Sequence, residues 1–143
     1  MITKIYFIEN SFDYNALNIN DNTIAGSEKT LINITNELSK NNNFLIKVFN
    51  NTTKSKTINN TQWLNISQIE KDDRPDFAIS MSDANLFYKL SGVKNYLWSH
   101  SVQNFEKFLR KKQLAPFIKF KPILLLEGEY HYKTRSYLTS FYG

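Results

Sequence analysis

A chain of 143 residues is long enough for one domain that buries roughly two-thirds of its unfolded surface. Its 41% apolar and 15% aromatic content fits a globular protein and argues against a disordered one. The lack of cysteine excludes disulfide frameworks, thiolate zinc clusters and cysteine nucleophiles. The net charge of +5 admits an anionic partner, whether a nucleotide, a phospholipid surface or nucleic acid.

Met1–Lys4 leads directly into a strand pattern, without the charged and then apolar layout of a secretory leader. No apolar run approaches the ~20 residues that span a bilayer. Lys4–Ile8 is continuously apolar from Ile5 on, which predicts a strand covered on both faces. Asn10–Thr23 is a polar, Asn-rich loop, longer than the usual ~2–6 residues of a strand-to-helix connection. Gly26 or Ser27 can cap the helix that follows, and Glu28 suits the positive end of its dipole. Leu31, Ile34 and Leu38 recur at helical spacing and predict its buried stripe, and Asn41-Asn42-Asn43 ends it.

Phe44–Phe49 is the second predicted strand, Thr52–Asn60 a polar loop, and Gln62–Ile66 a weaker third strand. Ser67–Asp73 reads as a short helical turn or loop. Arg74-Pro75-Asp76 punctuates the chain before a fourth strand, Phe77–Met81. Ser82 or Asp83 caps a short helix that carries Leu86, Phe87 and Leu90, with Gly92 at its end. Asn95–Trp98 is the fifth strand, and Ser99-His100-Ser101 follows it. Residues 104–112 are basic and amphipathic, Pro116 and Pro122 bracket a connection, Ile123–Leu126 is the sixth strand, and Tyr130–Phe141 the last helix. Strands that alternate with helices imply a parallel sheet with helices on both faces, in one domain.

In such a sheet, ligands bind beyond the carboxyl ends of the strands, where the strand order reverses. Three segments are expected there: the Asn10–Ser27 loop, Ser82-Asp83 and Ser99-His100-Ser101. Gly26 at a helix start lets a ligand approach the backbone, and the free N–H groups of a first turn favour an anion; it also reads as a plain capping glycine. His100, between two serines at a strand end, is either a cleft-facing acid or base or a structural histidine; His131, on the last helix, reads as structural. The first strand is not followed by G-x-G-x-x-G, and no P-loop motif occurs, which argues against nicotinamide, flavin and P-loop nucleotide domains. No G-x-S-x-G elbow supports a serine hydrolase, and 2 histidines without a carboxylate at ligand spacing make a metal centre unexpected. Phe105, Phe108 and Leu109 opposite several cations fit either a surface helix packed on the sheet or a helix that lies on an anionic membrane.

Four segments together resemble a known family: Ala25-Gly26-Ser27-Glu28-Lys29-Thr30-Leu31, Arg74-Pro75-Asp76-Phe77, Trp98-Ser99-His100 and Leu126-Glu127-Gly128-Glu129-Tyr130. In order and spacing they resemble the N-terminal, acceptor-side domain of a GT-B glycosyltransferase of the family 4-like group. The resemblance implies an α/β, Rossmann-like three-layer sandwich with a mostly parallel six-stranded sheet. It implies transfer of a sugar from a nucleotide-sugar donor to a glycan or lipid-linked acceptor, in glycan or cell-envelope biosynthesis, with no metal and no cofactor beyond the donor. His100 would take the catalytic role, Gly26 and Ser27 would meet the donor phosphates, and Asn10, Ser11, Lys29, Asp83, Ser99 and Ser101 would contact the acceptor. A C-terminal nucleotide-sugar-binding domain would complete the enzyme, and the chain by itself is expected to be an inactive half. Ala25 and Glu127-Gly128 depart from the family's pattern of a glycine pair and a small residue with serine. The expected location is cytoplasmic, with peripheral contact at the inner face of a membrane through the 105–112 helix, and no nucleic-acid partner is expected. The competing expectation is a non-catalytic α/β binding module for an anionic ligand or a protein partner.

Overall fold

The computed structural model describes residues 1–24, 26–98 and 112–125. Among them, seven strands form one sheet: β1 (Thr3–Ile8), β2 (Phe44–Asn50), β3 (Lys56–Ile58), β4 (Thr61–Asn65), β5 (Phe77–Met81), β6 (Lys94–Trp98) and β7 (Ile123–Leu125). The order across the sheet is β3-β4-β2-β1-β5-β6-β7. Every pairing is parallel except β3 with β4. With β3 set aside, the parallel strands run third, second, first, fourth, fifth, sixth, which is the order of doubly wound α/β sheets. Chain direction across the sheet therefore reverses between β1 and β5, where Ile8 sits beside Ser80.

The apolar run of β1 splits between two cores, because successive side chains point to opposite faces. Ile5 and Phe7 join Ile46, Val48, Trp63, Met81 and Trp98 on one face. Helix α1 (Gly26–Leu38) closes that face through Leu31 and Ile32, helped by Tyr14, Ala16 and Ile24 of the long loop. Tyr6 and Ile8 join Phe49, Ala78, Leu86 and Leu90 on the other face. Short 3-10 turns at Ile66–Gln68 and Ala84–Tyr88 lie over it, and α2 (Leu114–Phe120) adds Phe117 beside Phe87 and Leu97.

Several local expectations are corrected. The sheet has a seventh strand because Lys56–Ile58, within the expected Thr52–Asn60 loop, folds back on β4. Asn59 and Asn60 make the tight turn with φ of 50° and 64°, the left-handed pair that a two-residue hairpin of this twist requires and that asparagine tolerates. The buried stripe of α1 runs through Glu28, Leu31, Ile32 and Thr35, while Ile34 is exposed. Thr35 can occupy the core because its hydroxyl donates to the carbonyls of Leu31 and Ile32.

The connection between Pro116 and Pro122 contains α2, not a bare loop. Pro116 lies in the first turn, where an N–H has no helical partner to lose, and Lys121 ends the helix at φ 45°. Gly92 does not end the short helix, which stops at Tyr88 with Lys89 as its cap. Its role is a close approach of chains: a Cβ there would come within 2.7 Å of the Pro75 carbonyl oxygen. The expected last helix, Tyr130–Phe141, lies outside the described residues, as does residues 104–112 apart from Lys112. Among the described residues, no helix is long and apolar enough to cross a membrane.

Candidate ligand rim at the carboxyl ends of the strands

The reversal of order between β1 and β5 sets the loop after β1 beside the turn after β5. Around this rim the structure gathers Glu9 and the long loop, the first turn of α1, and Ser82-Asp83.

The long loop is pinned, not loose. Asn50 at the end of β2 donates through Nδ2 to the Tyr14 carbonyl at 2.9 Å. Asn51 donates to the Ser11 carbonyl and, at 3.0 Å, to Asn10 Oδ1. Asp13 accepts from the Thr53 hydroxyl at 2.9 Å and from its backbone N–H. Asn15 caps the one-turn helix Ala16–Asn18, with Asn18 reaching back to complete the box. These bonds let Tyr14 and Ile24 sink into the core while Phe12 and Leu17 stay exposed at the loop surface.

Glu9 follows β1 directly and is only 8% exposed. Its backbone N–H still donates to the Phe49 carbonyl, so the sheet ladder fixes its place. The Tyr14 hydroxyl donates to its carboxylate. Glu28, in the first turn of α1, is also buried, and the Ser27 hydroxyl donates to its Oε2 at 2.9 Å. Burial pushes the Glu9 carboxyl up to about 7; the Tyr14 hydrogen bond pulls against this and the Glu28 charge adds to it. The Tyr14 phenol is raised well above its ordinary range by burial and by the Glu9 and Glu28 charges. The rim therefore holds a carboxyl that can gain or lose a proton near neutral pH, which is the property of an acid–base group.

Gly26 is the first residue of α1, and is exposed. A Cβ built there would meet nothing within 4 Å. Packing therefore does not require a glycine at this position, and the space beside the helix start is open. Ser27 lies inside the helix and bonds to Glu28, so it does not act as a cap.

Among the other expected site residues, Asn10 is exposed and Ser11 is half-buried. The Ser11 hydroxyl is buried, with no hydrogen-bond partner among the described residues. Lys29 is half-buried in the first turn of α1; the Asp21 carboxyl is lowered chiefly by the Thr23 N–H and hydroxyl, and last by the Lys29 charge. Asp83 caps the Ala84–Tyr88 turn and accepts from the Asn85 N–H at 2.9 Å, so its carboxylate already has a structural task. Ser82 takes φ 60° and donates its N–H to the Trp98 carbonyl, which ties the end of β5 to the end of β6. Ser99, His100, Ser101 and His131 lie outside the described residues.

Sequence reasoning missed Glu9, Tyr14 and the pair Asn50-Asn51 at the end of β2. A carboxylate on the residue that ends a fully apolar strand was the available signal for Glu9. Among the described residues, no group of three or more histidine, aspartate or glutamate side chains is placed to hold a metal ion.

Fold and rim together define an α/β protein with a doubly wound order of parallel strands and polar side chains gathered at its switch point. No protein-family model, no curated protein and no solved structure matches this chain.

Proposed function

We propose that this chain is a Rossmann-like three-layer sandwich serving as the acceptor-side domain of a GT-B-type glycosyltransferase, which transfers a sugar from a nucleotide-sugar to a glycan or lipid-linked acceptor. The observation that carries the reading is Gly26: exposed, at the first turn of α1, at the switch point of the sheet, and with open space where a side chain would stand. A phosphate can approach the helix N–H groups there, and the helix dipole favours its charge. The resemblance at Ala25–Leu31 and Arg74–Phe77 supports the same reading.

In this scheme the acceptor hydroxyl attacks the anomeric carbon of the donor. The glycosidic bond forms, the bond from that carbon to the diphosphate oxygen breaks, and the nucleoside diphosphate leaves, taking up the proton that the acceptor hydroxyl gives up. Gly26 and Ser27 meet the donor phosphates, the Asn10–Thr23 loop and Lys29 meet the acceptor, and His100 contacts the reacting centre. In enzymes of this architecture a second lobe supplies the nucleotide pocket, and this scheme assigns the donor's nucleotide to such a lobe.

The test is release of nucleoside diphosphate by the protein expressed from its whole reading frame. UDP-glucose, ADP-glucose and GDP-mannose serve as donors, with a mixture of short oligosaccharides as acceptors. Release from at least one donor, reduced at least about a hundredfold by His100→Ala, is the expected result, since an acid–base or transition-state contact is worth ~10²–10⁴ in rate. No release above the rate of donor hydrolysis in buffer would count against the proposal.

A further inference from the structure

We infer that the face of the sheet opposite α1 carries an oligosaccharide-binding groove, centred on Tyr88 and running up to the rim at Asn51 and Asn65. The choice of a glycan over other hydroxyl-rich ligands rests on the transferase reading; the groove itself rests on geometry.

The groove has a structural origin. The connection from β4 to β5 crosses this face with a single 3-10 turn in place of a full helix, and the next connection, at Ala84–Tyr88, is also 3-10. Such thin elements leave hollows between them. One hollow, of about 550 Å³, is walled by Asn51, Asn65, Ser67, Lys71, Tyr88 and Lys89. A second, of about 480 Å³, lies against Glu70, Asp73, Arg74, Phe87 and Ser91. Both use Ile69, Lys71, Tyr88 and Lys89 as walls, so they adjoin. Each is within the ~300–1,000 Å³ range of ligand clefts.

The lining suits a chain of hydroxyls. Tyr88 is 54% exposed, and its edge-to-face contact with Phe120, ring centroids 5.2 Å apart, fixes the ring. Lys119 Nζ lies over the ring, 5.2 Å from its centroid, and the part of the ring left exposed offers an apolar surface for the C–H face of a pyranose. Around it stand donors (Lys71, Lys89) and acceptors (Glu70 and the carbonyl groups of the amides), which match hydroxyl groups that both donate and accept. Neither Lys71 nor Lys89 is in an ion pair among the described residues. The rim end of the groove reaches Asn51, which also holds the loop after β1, so a bound glycan would run from the face toward the reacting site.

The experiment is an amide-resolved NMR titration of the isotope-labelled chain with maltotetraose, cellotetraose and mannotetraose, and with the hexanucleotide dT6 as a separate arm. The expected result is millimolar binding of at least one tetrasaccharide, with shifts at Lys71, Tyr88 and Lys89. Tyr88→Ala should weaken it at least about tenfold, and Lys71→Ser with Lys89→Ser severalfold, with the amide spectrum otherwise kept because all three side chains are exposed. Absence of shifts at these residues with all three glycans overturns the inference, and so does binding of dT6 alone. Because the readout is residue by residue, the two proposals separate. Glycan shifts at Tyr88 in a protein that releases no nucleoside diphosphate keep the groove and remove the transferase. Transfer activity without groove shifts does the reverse.

Discussion

Replacing Glu9 by glutamine is expected to remove a loss of stability that the wild-type protein suffers as pH rises toward and past neutrality. An unfolded Glu9 titrates near 4.5, whereas burial holds the folded carboxyl near 7. Below pH 4.5 the group is neutral in both states and contributes no pH dependence. Between about 4.5 and 7 the unfolded chain releases a proton that the folded protein keeps, so stability falls as pH rises. Above about 7 the loss is complete and is on the order of 3 kcal/mol, at ~1.4 kcal/mol for each pH unit between the two values. Glutamine cannot ionise, is nearly the same size, and can still accept from the Tyr14 hydroxyl. Urea midpoints at pH 4.5 and 8 are the measurement. The wild type should lose stability between them and Glu9→Gln should lose much less, and the variant should be the more stable protein at pH 8. Parallel curves for the two proteins would show that Glu9 is not buried as described. The window is kept above pH 4.5 because Asp73 acts in the opposite sense in acid. Burial opposes its charge, but hydrogen bonds from Tyr6, Lys4 and Lys47 outweigh this and hold its carboxyl at about 2.

The second large effect is expected at Trp63. It lies on β4, is fully buried, and touches Tyr14 edge to face with ring centroids 5.8 Å apart. It thereby joins the outer part of the sheet to the loop that forms the rim. Trp63→Ala should cost about 3–5 kcal/mol, because the void is too large for the surrounding strands to close. The indole N–H has no hydrogen-bond partner among the described residues. Trp63→Phe therefore leaves no orphaned acceptor and should cost clearly less than alanine, by roughly 2 kcal/mol. Equal costs for the two variants would mean that the indole makes a polar contact that matters more than its volume. Since Tyr14 rests on Trp63 and donates to Glu9, Trp63→Ala should also weaken the protection of the loop amides from hydrogen exchange.

The strands were legible because a doubly covered sheet demands largely apolar runs; Ile5–Ile8 is unbroken, and Phe77–Met81 is interrupted only by Ser80. The edge hairpin was not. Lys56 and Thr57 face solvent on an outer strand and only Ile58 packs on the core, so the strand carries little apolar signal, and its only local mark was Asn59-Asn60. The order of the strands was also hidden, because pairs such as Ile5 with Phe77 join residues far apart in the chain. Within α1 the pattern favoured Ile34 over Thr35, since a hydroxyl counts as polar unless it can bond back to its own helix. The rim was half legible. Gly26 was found as a helix start at a strand end. Glu9 and Glu28 were not recognised as buried, because patterning assigns carboxylates to solvent and only the folded loop removes them from it.

The central claim, that the open space at Gly26 receives a ligand, is tested most directly by Gly26→Ala. An alanine Cβ meets nothing within 4 Å, and alanine favours a helix over glycine by roughly 0.5–1 kcal/mol. The folded protein should therefore keep or raise its stability. Binding of UDP-glucose, ADP-glucose or GDP-mannose, read from the shifts of the amides in the first turn of α1, should weaken at least about tenfold, because the methyl group stands where the phosphate must come. Equal binding by Gly26→Ala and wild type, or nucleotide-sugar shifts confined to residues away from this turn, would contradict the account.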